Sequence, residues 1–238
     1  MKRKNDYPEC EKQWVFRVLI LVAGFYGGYA MMVRGGAFSN AQTGNLALMA
    51  VALGTGNWMK ALYYVIPISA YLLGSIVSEA LPKPLGKTRT LRWCTLLTLI
   101  EMVAVIVMGF IPATAPHQIC QIMINFICAM QFNTFRQAEG MAMATTFCTN
   151  HIRQIGVYLA GLFDKQKQKK EQLQKATVYI LMVVFFIAGV AAAAAASIWL
   201  DTYAIWLTLI PLAVLAVYLI HADIRTKKDP AAKSCCGQ

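Results

Sequence analysis

The chain alternates long apolar runs with short polar stretches, which is typical of proteins that cross a membrane several times. A helix of about 20 apolar residues spans the hydrocarbon core of a bilayer. Runs of suitable length cover residues 14–33, 59–81, 91–111, 118–135, 177–200 and 203–220. Two other stretches, 39–53 and 144–163, are shorter or more polar. The pattern predicts an all-α, polytopic membrane helix bundle, with about six transmembrane helices and two short re-entrant or broken helices.

The basic residues predict how these helices are oriented. Lys and Arg are concentrated in short loops on the cytoplasmic side of membrane proteins. Clusters of them lie at 2–12, 83–92, 165–175 and 225–233. The connections 112–117 and 201–202 contain none. All four basic clusters lie on the same side of the membrane only if neither of the two short stretches crosses it. We therefore expect a multi-pass protein of the cytoplasmic membrane with both termini in the cytoplasm.

The two short stretches resemble each other and indicate an internal repeat. Gly35 and Gly140 are separated by 105 residues, as are Asn45 and Asn150. Each half contains a span, a short stretch and two further spans, so the second half begins on the opposite side. The pattern predicts an inverted 3+3 repeat, an architecture typical of transporters.

These patterns also predict the domain organisation. Residues 1–13 form a cytoplasmic N-terminal segment, and residues 223–238 form a cytoplasmic tail. Residues 14–222 form a single transmembrane domain. Within it, repeat one covers about 14–112 and repeat two about 117–222.

Helices that begin inside a membrane predict a binding site. Their first N–H groups lack intrahelical partners and carry partial positive charge. Hydrocarbon tolerates such groups only where they face protein or a water-filled cavity. We expect the two short helices to meet at a solute site near the midplane. The polar residues predicted to line it are Gln42, Thr43, Asn45, Thr149, Asn150 and Arg153.

Glu101 is the remaining candidate site residue, because it lies near the middle of the third apolar run. An acidic side chain at that depth costs about 2.5 kcal/mol or more. It either tunes the charge of a solute site or forms a structural pair with an arginine. Arg153, one turn after Asn150, places anions among the candidate solutes. Arg34, Arg136 and Arg153 all have the alternative of reaching interfacial water with their long side chains.

Composition narrows the function classes. The chain is 58% hydrophobic and 14% charged, against about 45–50% and 25% in soluble domains. A net charge of +11 is compatible with nucleic-acid binding, but the basic residues lie in short loops between apolar runs, so we expect none. The spacing of Cys, His, Asp and Glu predicts no metal site, and no catalytic motif or cofactor-binding pattern is recognisable.

One motif carries a family resemblance. Thr43-Gly44-Asn45, within the stretch 36–45, resembles the Thr-Gly-Asn hallmark of the YoaK family of bacterial membrane proteins. The stretch 145–153 is similar to that family's second motif, although Thr149 stands where the first motif has Gly44. The resemblance covers about 15–222. It implies a multi-pass membrane protein built around a domain of unknown function, without an assigned activity.

The leading functional prediction is a secondary transporter or channel for a small solute. A membrane-embedded scaffold or regulatory subunit without transport is the alternative. A membrane enzyme acting on lipid is disfavoured, because paired acids and metal clusters are not evident. The expected partners are the lipid bilayer and a small-molecule solute, and self-association of the chain stays open.

Overall fold

A computed structural model describes residues 7–81, 91–164, 166 and 168–228. Their architecture is helical, with one hairpin made of β1 (Gln137–Ala138) and β2 (Met141–Ala142). The α-helices of the described residues are α1 Gln13–Val33, α2 Gln42–Gly54, α3 Trp58–Ala80, α4 Trp93–Phe110, α5 His117–Thr134, α6 Thr149–Ala160, α7 Lys169–Leu200 and α8 Leu209–Lys228. Short 3-10 helices cover Glu9–Glu11, Gly161–Phe163 and Asp201–Thr208.

Several helices are long and apolar enough to cross a membrane. Four such segments occur in the described residues: Gln13–Val33, Trp58–Ala80, Trp93–Phe110 and Lys169–Arg225. The last one contains α7 and most of α8. Helix α5 has 18 residues, but amide side chains lower its hydropathy. These findings confirm an all-helical membrane protein, whereas the number of crossings stays a prediction.

The short helices occupy the two stretches that the hydrophobic pattern set apart. Helix α2 has 13 residues and α6 has 12. At 1.5 Å per residue they are about 20 Å long at most, less than the ~30 Å of a hydrocarbon core. Helix α2 packs on α3, and α6 packs on α7.

Two pairs of long helices make the most extensive contacts. Helix α1 packs along α7, and α3 packs along α5. Glycines permit this close approach, as is common between membrane helices. A Cβ atom at Gly24 would overlap the carbonyl oxygen of Phe186, and one at Gly189 would overlap that of Leu21. In the second pair, a Cβ atom at Gly74 would overlap the carbonyl oxygen of Phe126. Backbone therefore meets backbone in both pairs.

The buried core has two apolar clusters. One includes Leu19 and Leu97, with Met130 and Leu215 packed around them. The other includes Met108, Ile124 and Leu212. Helices α1, α4, α5, α7 and α8 contribute to both clusters, so these five helices form the centre of the bundle.

Polar contacts gather at two ends of the bundle. The first, which we call the N-terminal end, joins the start of α1 to the hairpin. The Gln13 side chain donates to Glu139 Oε2 over 2.9 Å, and the Glu139 N–H donates to the Glu11 carbonyl over 2.8 Å. At the same end, Asp223 accepts the N–H of Arg92 at 2.9 Å.

Glu9 adds a contact between the N-terminal segment and α8 at this end. Tyr218 donates a hydrogen bond to the Glu9 carboxylate, and Lys12 forms an ion pair with it. Burial alone would raise the pKa of Glu9, but these hydrogen bonds and the Lys12 charge hold it below its usual value.

The second polar end, which we call the Arg34 end, is formed around a fully buried arginine. Arg34 Nη2 donates to the carbonyl of Ile111 at 2.6 Å, and Nη1 donates to that of Pro112 at 3.2 Å. Its Nε donates to the Tyr29 hydroxyl at 2.9 Å. The guanidinium thus caps the carboxyl end of α4, where carbonyl groups lack helical partners and a positive charge is favourable.

Candidate functional site

The first motif is a loop held closed by one asparagine. Asn45 is fully buried, and its Oδ1 accepts the N–H of Phe38 at 3.0 Å. Its Nδ2 donates to the carbonyl of Phe38 at 2.8 Å and to Gln42 Oε1 at 3.0 Å. A Cβ atom on Gly44 would lie 2.7 Å from the Phe38 ring. The Thr-Gly-Asn sequence therefore closes the loop with Asn45 and leaves room for Phe38 at Gly44, while Thr43 is exposed.

A chain of amides connects this loop to α5. Gln42 Nε2 donates to Asn125 Oδ1 over 2.6 Å, and Asn125 Nδ2 donates to the carbonyl of Gln121 over 2.7 Å. Gln121 Nε2 in turn donates to the carbonyl of Arg34 over 2.6 Å and to the Tyr63 hydroxyl. Sequence reasoning did not select Gln121. Its spacing of four residues from Asn125, on one face of an otherwise apolar helix, was the available signal.

The second motif shares one contact of this organisation, which is made by a different anchoring residue. His151 is fully buried, and its Nε2 accepts the N–H of Ala144, seven residues upstream, at 3.3 Å. Phe38 and Asn45 are also seven residues apart. His151, which is absent from the predicted site, therefore corresponds in geometry to Asn45. Asn150, the residue matched to Asn45 by sequence interval, is half-buried and accepts a hydrogen bond from exposed Arg153 at 3.2 Å.

The turns before the two motifs explain this difference in register. Gly35 and Gly36 have φ values of 77° and 76°, while Glu139 and Gly140 have 49° and 78°. Each motif thus follows two consecutive residues in the left-handed region. One residue then separates the first turn from Phe38, but three residues, 141–143, separate the second turn from Ala144. The two additional residues contribute to the hairpin, so a single interval of 105 residues cannot align both turn and motif.

Three buried hydroxyl groups in these loops make no hydrogen bond of regular geometry to any residue that the structure describes. They are Ser39 Oγ just before α2, and Thr145 Oγ1 and Thr146 Oγ1 just before α6. Their residues are at most 1% exposed. Ser39 lies near Gly27 of α1, and Thr146 lies near the Tyr71 hydroxyl of α3. Buried polar groups are nearly always satisfied in native proteins, so these hydroxyls are unusual features of the two loops.

Glu101 is buried in the middle of α4 and is 1% exposed. The Tyr26 hydroxyl of α1 donates to its Oε1 at 2.9 Å. Cys128 of α5 lies within electrostatic range. No ion pair of Glu101 occurs among the described residues, so the alternative of an arginine partner finds no support there.

The structure brings only some of the predicted site residues together. Gln42 and Asn45 share a hydrogen bond, whereas Thr149 and Arg153 are exposed on α6. Within the described residues, no hydrogen bond joins α6 to the first motif. Arg136 forms an ion pair with Glu79 at 2.7 Å, and both side chains are largely exposed. Of the arginines considered in the sequence, Arg34 alone is buried.

Comparison with known proteins identifies the family. A family model described as "Protein of unknown function (DUF1275)" matches residues 15–218. The chain belongs to the DUF1275 family. This confirms the prediction of a family with a domain of unknown function, while the narrower YoaK name stays a prediction. No curated protein and no solved structure matches this DUF1275 chain.

Proposed function

We propose that this DUF1275 protein crosses the membrane six times as two inverted halves and acts as a secondary transporter or channel for a small solute. The observation that carries the proposal is the pair of short helices. Each follows a left-handed turn and a loop that is hydrogen-bonded seven residues upstream. At least one buried hydroxyl that has no partner among the described residues precedes each helix. Short helices at matching positions of two halves are typical of solute sites in transporters.

The two polar ends support six crossings. Helix α1 runs from Gln13 at the N-terminal end towards Arg34, and α4 runs from Arg92 towards Ile111. Helix α5 runs in the reverse sense, because Gln121 contacts the backbone of Arg34 and Thr134 bonds to Trp93.

Helices α3, α7 and α8 complete this count. Tyr63, near the start of α3, contacts Gln121, and Glu79 near its end contacts Arg136. The carbonyl of Thr202, just after α7, accepts a hydrogen bond from Tyr29 at the Arg34 end. Helix α8 returns from there, since Asp223 lies at the N-terminal end. Basic residues at the N-terminal end of the bundle favour a cytoplasmic location for that end.

Helix packing supports the inverted repeat. If α1, α2, α3 and α4 correspond to α5, α6, α7 and α8, the extensive α1–α7 contact corresponds to the α5–α3 contact. The packing of α2 on α3 likewise corresponds to that of α6 on α7, and the α4–α8 contact corresponds to itself. A pseudo-two-fold relation between halves produces this pattern.

The proposed solute site lies between the two motifs, near Glu101. Gln42, Thr43, Asn45, Thr149, Asn150 and Arg153 remain candidate residues of its lining. The geometry favours a structural role for Asn45 in closing the loop, because its side-chain amide is already hydrogen-bonded to Phe38 and Gln42. The unpartnered hydroxyls of Ser39, Thr145 and Thr146 are better placed to bind a solute.

Flux measurements test the activity. Purified protein in liposomes is supplied with radiolabelled amino acids, sugars, polyamines and small organic acids. We expect uptake of at least one class, and a several-fold loss in Thr146→Val. The matched control is Thr177→Val, an exposed threonine whose hydroxyl bonds to its own helix. A scaffold would show no uptake of any class, and an enzyme would convert added lipid without moving solute.

Cysteine labelling tests the topology independently. In a cysteine-free background, an impermeant maleimide should label Thr55→Cys, Thr114→Cys and Tyr203→Cys from outside intact cells. It should label Gln137→Cys and Gln168→Cys only after permeabilisation. Labelling of Thr55→Cys from the cytoplasm alone would mean that α2 crosses the membrane, which would end the inverted-repeat proposal.

A further inference from the structure

We propose that Glu101, held by Tyr26, takes up and releases a proton during each transport cycle, so that the coupling ion is H⁺. This inference deepens the proposed transport function and rests on it. Only the O–H bond of the carboxyl group forms and breaks. The proton comes from water on one side of the membrane and returns to water on the other side.

The position of the carboxyl group is the first argument. Glu101 lies centrally in α4, and Tyr26 lies centrally in α1, both essentially without solvent contact. An acid at this depth is costly to retain, so an intramembrane acid indicates a role in ion or substrate movement. The Tyr26 hydroxyl, at 2.9 Å from Oε1, keeps the carboxyl oriented in either protonation state.

The surroundings of Glu101 are the second argument. From α1 the facing titratable group is Tyr26, and from α5 it is Cys128. The 3-10 helix Asp201–Thr208 brings the neutral hydroxyl of Thr208 close to Tyr26. From α8, apolar Leu212 lies in the surrounding core cluster.

The described residues therefore offer Glu101 hydroxyl, thiol and apolar neighbours, without an ion pair. An ionised carboxylate in such a site is strongly disfavoured unless water or a cation reaches it. A neutral carboxyl group keeps its hydrogen bond to Tyr26 without that cost. Exposure of the site to water on one side would let the proton leave, and closure would require its return.

The third argument is the position of Glu101 relative to the two motifs. Cys128 lies within electrostatic range of both Glu101 and Tyr71, and Tyr71 lies close to Thr146 of the second motif. One turn earlier on α5, Asn125 bonds to Gln42 of the first motif. Helix α5 therefore connects the acid with both loops, and a solute between them would sense the charge at Glu101.

A carbodiimide probe tests proton binding without knowledge of the solute. Dicyclohexylcarbodiimide modifies protonated carboxyl groups in apolar surroundings, and mass spectrometry locates the adduct. We expect modification of Glu101 at acidic pH and a fall of about tenfold per pH unit once the carboxyl ionises. Exposed Glu79 is the control and should stay unmodified. Tyr26→Phe should move the pH profile, which a purely structural hydroxyl would not do. Absent or pH-independent modification of Glu101 would overturn the proton assignment while leaving the transport proposal intact.

Liposome flux then tests coupling, with the solute class that the wild type takes up. One pH unit corresponds to about 1.4 kcal/mol, so one proton per solute drives about tenfold accumulation. We expect this accumulation in the wild type. Glu101→Gln should lose the accumulation driven by the pH gradient, and the uptake of this variant should no longer depend on pH. Wild-type uptake that ignores the pH gradient would refute coupling alone. If no solute moves, transport and coupling both fail, even where Glu101 is modified.

Discussion

Asn45→Ala is the sharpest test of the proposed loop anchor. The substitution removes a fully buried amide that bonds to both backbone groups of Phe38 and to Gln42 Oε1. A polar group left buried without its partner costs about 1–3 kcal/mol. Because Phe38 itself is half-buried, we take the lower part of that range for its two backbone groups. The expected loss is about 2–4 kcal/mol in the free energy of unfolding.

Thermal unfolding in detergent, followed by tryptophan fluorescence, measures this loss. A chain of this size loses about 2–4 °C in Tm per kcal/mol, so Asn45→Ala should unfold at least about 4 °C lower. Asn150→Ala is the matched control, because it removes the same side chain from the half-buried partner of Arg153. Its Tm should change by less than about 2 °C. Equal losses in the two variants would refute the anchoring role and the assignment of His151 as its counterpart.

The other predictions concern the motif glycine, the buried arginine and the N-terminal segment. Gly44→Ala places a methyl group against the Phe38 ring and should lower the free energy of unfolding by about 1–3 kcal/mol. The control is Gly54→Ala, which should be neutral or stabilising because the space there is open. An equal loss of Tm in both variants would contradict the close contact between Gly44 and Phe38. Arg34→Met removes a charged donor from three carbonyl groups and should lower the Tm far more than Arg136→Met, since an exposed ion pair contributes at most about 1 kcal/mol. The stabilisation from ionised Glu9, whose pKa is lowered in the folded protein, should be present above its ordinary value of 4.5 and be lost as the pH falls below it. Glu9→Gln should therefore narrow the difference in Tm between neutral and acidic buffer, and an unchanged difference would exclude this contribution.

Hydrophobic runs predicted the long helices well, because burial in lipid and in the core depends on the same apolar side chains. They predicted the helix boundaries less well. Helix α7 begins at Lys169, whereas the apolar run begins at 177. Residues 169–176, just before the run, are helical too, and Glu171 and Lys175 within them form an ion pair one turn apart at 2.7 Å. A hydropathy pattern detects only the apolar part of a helix. It does not detect the polar turns by which the same helix continues into water.

The details of the site depend on contacts that no sequence pattern reveals. The roles of His151 and Arg34 are examples. The two extra residues after Gly140 shift the second motif, so a constant interval selected Asn150 in place of His151. The partners of Arg34 are backbone carbonyls at the end of α4. Because every residue has a backbone carbonyl, a sequence does not show which carbonyls an arginine will contact. By contrast, Asn45 and Gln42 were found from sequence, since polar residues at a helix start in an apolar region are rare enough to stand out.

The glycine contacts between long helices have a mechanical consequence. Where Gly24 and Gly189 bring α1 against α7, and Gly74 brings α3 against α5, no flexible side chains lie between the backbones to absorb sliding. Each pair is therefore expected to move as a rigid body. Each rigid body combines one helix from the first half of the chain with one from the second. Tilting one pair against the other would open the space between them at one face of the membrane and narrow it at the opposite face.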